Sequence, residues 1–137
     1  MAEKMRETYE QNVIIQVDPR VVEALEIGKQ AVVFYIAEEA VNNARKHAEA
    51  KHIWTRLKMV QEDICLLDIE DDGIGFDSNM VDMSYESSGS LGMVNMRERA
   101  DLVNGVFRID SAIGQGTRIQ VVIPLTEEAA DRIRYGF

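Results

Sequence analysis

A long helical repeat followed almost at once by two runs of alternating residues leaves this chain few ways to fold. From about Gln30 to His47, Val33, Ile36, Ala37, Ala40, Val41 and Ala44 recur on one side of a helix at about 100° per residue, so that side must be covered. From Ile53 to Val60, Ile53, Thr55, Leu57 and Met59 fall on one face of a strand, and Ile64 to Glu70 reads as a second strand a few residues later. Upstream, the β-rich run Val13 to Val17 stops at Asp18-Pro19, which suits an N-cap and a first helical position; that helix should weaken near Gly28. Downstream, Gly92 to Asn104 is expected to be a helix closed by Asn104-Gly105. Val106 to Asp110 and Thr117 to Leu125 are two further strands around the turn Ser111 to Gly116. Helices come first and most strands later, with short links between strands. The fold class is therefore α+β, a mixed or antiparallel sheet with helices on one face.

The 137 residues suffice for one compact domain with a real core, and 46% hydrophobic with 28% charged residues is ordinary for a globular chain. Residues 1 to 12 are polar and are taken as a linker or an expression remnant, leaving 13 to 137 as the domain. No apolar run approaches the roughly 18 residues of a membrane span, and the first residues lack a signal-peptide core, so the expectation is cytoplasmic, without direct membrane contact. A formal net charge of −9 opposes broad nucleic-acid binding, which depends on lysine and arginine neutralising phosphates. A small phosphate ligand needs only a local positive spot. The single Cys65 sits in an apolar run with no metal-ligand companions and is expected to be a buried thiol.

Three stretches could carry chemistry. On the Gln30 to His47 helix, Glu39, Asn43 and Lys46 form a polar stripe along the edge of the apolar face, with His47 nearby, while Glu38, Asn42 and Arg45 project away. A carboxylate, an amide and a cation meeting there could hold magnesium and phosphate oxygens; a solvated helix flank would use the same residues. Asp71 continues the buried parity of Cys65, Leu67 and Ile69, which places a carboxylate at the rim of a core, where it needs a partner. A purine amino group or an ordered water would serve, and Gly73 and Gly75 would let the backbone turn close to a ligand. Finally, Gly89, Ser90 and Gly92 precede or open a helix, whose N-terminal N–H groups favour anions. Met93, Met96, Ala100 and Val103 form that helix's core stripe, and residues 76 to 90 make a long polar loop.

Four segments in this order resemble the boxes of the histidine kinase-like ATPase superfamily, the Bergerat or GHKL fold. Glu-Glu-Ala-Val-Asn-Asn-Ala-Arg-Lys-His-Ala (38 to 48) resembles the N box and Asp-Asp-Gly-Ile-Gly-Phe-Asp (71 to 77) the first glycine box. Gly-Ser-Leu-Gly-Met-Val-Asn-Met-Arg-Glu-Arg-Ala (89 to 100) resembles the second glycine box, with the Met-Arg-Glu-Arg helix of sensor kinases that signal to NarL-type regulators. Gly-Gln-Gly-Thr-Arg-Ile (114 to 119) resembles the motif before the last strand, whereas a G-x-x-x-x-G-K-[ST] phosphate loop is absent. One departure is Ser90, which stands where many relatives carry the first of two glycines.

The resemblance implies a two-layer α/β sandwich with a mobile ATP lid over residues 76 to 90, and the catalytic ATP-binding domain of a two-component sensor histidine kinase. Asn43 would coordinate magnesium bridging the ATP phosphates, Glu39 would stand near the transferring phosphate, and Lys46 and His47 would approach the phosphates. Asp71 would accept from the adenine amino group, with Gly73, Gly75 and Thr117 shaping the base pocket and Gly89, Ser90 and Gly92 meeting phosphate at the lid's end. The implied partners are the dimerisation domain carrying the phosphoacceptor histidine and a NarL-type response regulator. Of the chain's two histidines, His47 falls in the N-box stretch and His52 enters a strand, so neither is expected to be the phosphoacceptor. The chain alone is thus expected to be a monomer that binds ATP without autophosphorylating. An anti-sigma-factor-type serine kinase and a non-enzymatic nucleotide-binding module are the alternatives.

Overall fold

The computed structural model describes residues 12–47, 49–76 and 88–136, so the expected lid, residues 76 to 90, lies largely outside the described residues, as does most of the N-terminal segment. Five strands, β1 (Asn12–Val17), β2 (His52–Gln61), β3 (Ile64–Asp71), β4 (Val106–Ser111) and β5 (Thr117–Pro124), form one mixed sheet in the order β1-β2-β3-β5-β4. β1 runs parallel to β2 and every other pair is antiparallel. The parallel pair needs a long crossover, and α1 (Pro19–Ala24) and α2 (Ile27–His47) supply it. Asp18 caps α1 with Pro19 at its start, and its carboxylate accepts from the Arg20 N–H at 2.9 Å. α2 passes through Gly28, which is exposed and where an added methyl would meet nothing, instead of starting near Gln30.

Strand alternation sends Ile53 and Leu57, Cys65, Leu67 and Ile69, and Ile119, Val121 and Ile123 to one face, all buried. Ile36, Ala40 and Ala44 of α2 cover that face together with Met93, Met96 and Ala100 of α3 (Ser88–Leu102). Burial pushes the Cys65 thiol up to about 11, in keeping with an unreactive packing group. α3 ends as expected, with Asn104 at φ +59° and the Gly105 N–H donating to the Ala100 carbonyl at 2.9 Å. A further helix, α4 (Glu127–Gly136), follows β5; Arg132 ties it to Asp63 in the β2–β3 turn, and Ala129 and Ala130 are buried.

The opposite face carries an ionic cluster that sequence parity alone would have left in water. Asp68 is 1% exposed, hydrogen-bonded to Arg56 at 3.0 Å and to Arg118 at 2.9 and 3.2 Å. Burial works to raise its carboxyl, but the two guanidinium groups outweigh it and hold it below the usual carboxylate range.

Candidate functional site

One rung at the end of the sheet builds the site. Ile53 pairs with Asp71, Asp71 with Thr117, and Thr117 with Ser111, so four strands deliver one residue each to the same level. The register therefore brings Asp71 and Thr117, 46 positions apart (117 − 71), side by side. Above them a cavity of about 120 Å³ opens between the sheet, α2 and α3. Its polar lining includes Asn43, Asp71 and Thr117, and its apolar walls include Ile69, Phe76, Met93, Met96, Ile109 and Ile119. A mostly apolar cavity with a few converging polar groups is the usual setting for a small organic ligand.

Asp71 is the most constrained member. It is buried, and its Oδ1 accepts the Gly73 N–H at 2.8 Å. Burial pushes its carboxyl above the ordinary value; backbone hydrogen bonds from Gly73 and Thr117 oppose this, while nearby Asp72 and Glu70 add to it. A buried carboxylate of this kind gains from a donor brought by a ligand. Thr117 Oγ1 lies 2.8 Å from Ser111 Oγ, which also donates to the Gly116 carbonyl at 3.0 Å and accepts the Phe76 N–H at 2.9 Å. Either hydroxyl of the Ser111–Thr117 pair can donate to the other.

Gly75 has φ +66°, and a Cβ there would lie 2.2 Å from the Ala112 carbonyl oxygen and 2.8 Å from that of Gly116. Only glycine allows the β3 turn to close against the β4–β5 turn, where the Gly114 N–H also donates to the Ile74 carbonyl at 2.6 Å.

At the other end of the cavity, α2 and α3 run antiparallel. A Cβ on Gly92 would lie 2.6 Å from Glu39 Oε1 and 3.1 Å from Asn43 Nδ2, so these two side chains converge on the α3 backbone. Farther along the pair, the Arg99 guanidinium stands 4.4 Å from the Tyr35 ring centroid and fastens the helices together.

The residues singled out from sequence divide accordingly. Asn43, Asp71, Gly75 and Thr117 line one cavity. Gly73 holds Asp71 from behind, and Glu39 joins Asn43 at Gly92. Lys46 is exposed and does not line the cavity, and the His47 side chain lies outside the described ones. Gly89 and Ser90 do not precede the helix: α3 begins at Ser88, so both sit in its first turn and Gly92 in its second. The stripe's neighbours also differ from expectation, since Asn42 and Arg45 are half-buried and joined at 3.4 Å. Sequence reasoning passed over Phe76, Ile109, Ile119 and Ser111. Ser111 alone left a signal, as the hydroxyl residue facing Thr117 across the turn it flanks.

Residues 28–127 match the family model described as Histidine kinase-, DNA gyrase B-, and HSP90-like ATPase. The chain is 45% identical over 96 residues to an uncharacterized sensor-like histidine kinase of Chloroflexus aurantiacus, covering 70% of this chain and 16% of that one. It is 38% identical over 97 residues to the signal transduction histidine-protein kinase/phosphatase DegS of Bacillus subtilis, covering 71% and 24%. Against the sensor protein VraS of Staphylococcus epidermidis it is 41% identical over 95 residues, covering 69% and 26%. The chain thus spans at most about a quarter of the length of these relatives. Among solved structures, the histidine kinase domain of an Erythrobacter litoralis blue-light activated kinase superposes with TM-score 0.71 at 17% identity, covering 98% of this chain and 61% of that one. The mycobacterial sensor histidine kinase MprB gives 0.62 at 18%, covering 89% and 87%. At these identities the superpositions speak for the fold alone.

Proposed function

The chain belongs to the histidine kinase-, DNA gyrase B-, and HSP90-like ATPase family, and from that membership we propose that it is the ATP-binding catalytic domain of a two-component sensor histidine kinase. The observation that carries this is the buried Asp71 carboxylate facing an apolar slot shared with Thr117 and Asn43. In this role Asp71 accepts from the adenine amino group while Met93, Met96, Ile109 and Ile119 flank the base. Gly73 and Gly75 keep the backbone in place around it.

The α2 end handles the phosphates. Among the described residues no group of three or more His, Cys, Asp or Glu could cage a metal. That suits magnesium, which takes one or two protein oxygens and completes its shell with water and substrate phosphates. Asn43 would hold it through its amide oxygen, and bound magnesium would neutralise charge on the phosphates. Glu39 would stand by the transferring phosphoryl group, Lys46 and His47 would approach it from the end of α2, and Gly89, Ser90 and Gly92 offer the first turns of α3. Phosphoryl transfer needs little covalent help from the protein, so these residues act by positioning and charge. The acceptor is a histidine on a separate dimerisation domain, and a NarL-type response regulator receives the group next.

Calorimetric titration with ATP and ADP, with and without magnesium, tests the assignment. Wild-type binding is expected to be lost in Asp71→Asn and to lose its magnesium dependence in Asn43→Asp. A folded chain that ignores millimolar nucleotide would overturn the proposal and leave a non-enzymatic module. Label from γ-phosphate should reach a histidine only when a helical acceptor domain is added; transfer to an anti-sigma antagonist instead would identify a serine kinase.

A further inference from the structure

Asp72 neighbours the base-binding carboxylate without lining the cavity, yet it joins the two strand ends that carry the site. The last residue pair between β2 and β3 is Ile53 with Asp71. An antiparallel pair left at that point would fray. Instead Asp72 Oδ1 accepts the N–H groups of Lys51 at 2.8 Å and His52 at 2.9 Å, and Oδ2 lies 2.7 Å from His52 Nδ1. The Asp72 N–H reaches the His52 carbonyl at 3.3 Å. The imidazole is held on its flat side as well, stacked on Trp54 with centroids 5.6 Å apart and 21° between planes. Burial works to raise the Asp72 carboxyl, but the hydrogen bonds from His52 and Lys51 outweigh it and lower it.

We propose that His52 and Asp72 form a clip that positions Asp71 for the exocyclic amino group of adenine, and so contributes to base selectivity. The proposal rests on the nucleotide-binding reading of the same cavity. Asp72 lies between Asp71 and Gly73, whose N–H fixes Asp71 Oδ1. If the Asp72 peptide rotates, that N–H swings away and the Asp71 carboxylate loses its aim. From the β5 side Asp71 is already fixed by its pairing with Thr117 and by its carbonyl, which would lie 2.2 Å from a Cβ on Gly116. On the β2 side, past the last pair, these Asp72 bonds do the fixing. Both clip side chains are partly exposed, at 42% for His52 and 35% for Asp72, so as an ion pair they add little to global stability. Their effect falls on the turn.

Affinities of the full chain for ADP and inosine diphosphate, which lacks the amino group, separate aim from general structure. The wild type should prefer ADP. Asp72→Ala should weaken ADP by about tenfold, the worth of one well-placed hydrogen bond, and leave inosine diphosphate unchanged. Asp72→Asn, which keeps an acceptor for the Lys51 and His52 N–H groups, should recover most of the preference. His52→Leu, removing only the imidazole arm, should give a smaller loss of the same kind and serves if Asp72→Ala does not fold. An unchanged ratio in the folded variants, or equal weakening of both nucleotides, overturns the clip. If Asp71→Asn abolishes the preference while Asp72→Ala and His52→Leu keep it, the clip fails and the nucleotide reading stands. A wild type that binds neither nucleotide overturns both.

Discussion

Replacing Gly92 by alanine should separate the stability of this fold from its handling of the phosphates. Gly92 lies in the second turn of α3, where glycine is less favourable than alanine by about 0.8–1 kcal/mol in a helix interior. Taken alone, the change would raise the melting temperature by about 3 °C for a chain of this size. The new methyl, however, would arrive 2.6 Å from Glu39 Oε1 and 3.1 Å from Asn43 Nδ2. The Glu39 carboxylate ends a long side chain and can swing aside cheaply. Asn43 is shorter and half-buried, and moving it off its rotamer costs about 0.5–1.5 kcal/mol. The two contributions nearly cancel, so the stability of Gly92→Ala should stay within about 1 kcal/mol of wild type. Asn43, the proposed magnesium ligand, would nonetheless be displaced, and metal-dependent nucleotide affinity should fall by about 10- to 100-fold, as when the supports of a metal ligand are removed. Thermal melting together with calorimetry, with and without magnesium, reads both quantities on one sample. A folded Gly92→Ala chain with wild-type, magnesium-dependent affinity would refute the placement of Glu39 and Asn43 at the phosphates.

Other substitutions follow from single contacts. Gly75→Ala meets two carbonyl oxygens of the backbone at 2.2 and 2.8 Å from a φ of +66°, and neither can move freely; denaturant unfolding should show a loss of about 3 kcal/mol or more. Thr55 is buried in β2, and its Oγ1 meets no hydrogen-bond partner among the described residues. Thr55→Val should therefore shift the urea midpoint upward by about 1 kcal/mol of stability, and a drop would mean the hydroxyl is satisfied by water. Asp71 has a carboxyl raised by burial, so the empty fold loses stability as the pH rises from the ordinary carboxylate value through the raised one. Asp71→Asn should accordingly be more stable than wild type at neutral pH, with the gap closing as pH falls through the raised value and gone below the ordinary carboxylate range near 3.8. Thermal melts of both chains across that range check the sign, and nucleotide affinity of the wild type should fade over the same acid limb.

The parts of this structure that sequence could reach are those written in local rules. Asp18-Pro19 starts α1 and Asn104-Gly105 closes α3 because capping depends on the residues at the cap itself. Counting in twos from Cys65 puts Asp71 on the core face, which needs no knowledge of the partner strands. Where the outcome depended on distant chain, the reading failed. Ser88, Gly89 and Ser90 look like helix breakers, yet α3 already includes them. Asp68 falls on the opposite parity, and its burial depends on Arg56 and Arg118, twelve and fifty residues away, which close over it. Phe76, Ile109 and Ile119 could not be told from core residues because the wall of an apolar slot has the same composition as a core. α4 did leave a local mark: Thr126 caps it by accepting the Ala129 N–H at 3.0 Å, with Glu127 and Glu128 in the first turn.

The two ends of the cavity are held by different means, and this sets what each can tolerate. The end proposed for the base rests on one rung of the sheet, Ile53–Asp71–Thr117–Ser111, locked by register across four strands. A slip of one residue in β3 would turn Asp71 to the outer face and strand Asp68 among the core apolars, so the Asp71 end of the cavity persists for as long as the sheet does. The end proposed for the phosphates rests on one helix lying against another, with Gly92 over Glu39 and Asn43 and Arg99 over Tyr35. A small slide of α3 along α2 changes those contacts without breaking a single ladder hydrogen bond. If the proposed nucleotide reading holds, the base would be gripped by the fixed sheet while the groups nearest the transferred phosphate could be repositioned, the arrangement a domain needs if it must hold its nucleotide through an encounter with a separate acceptor.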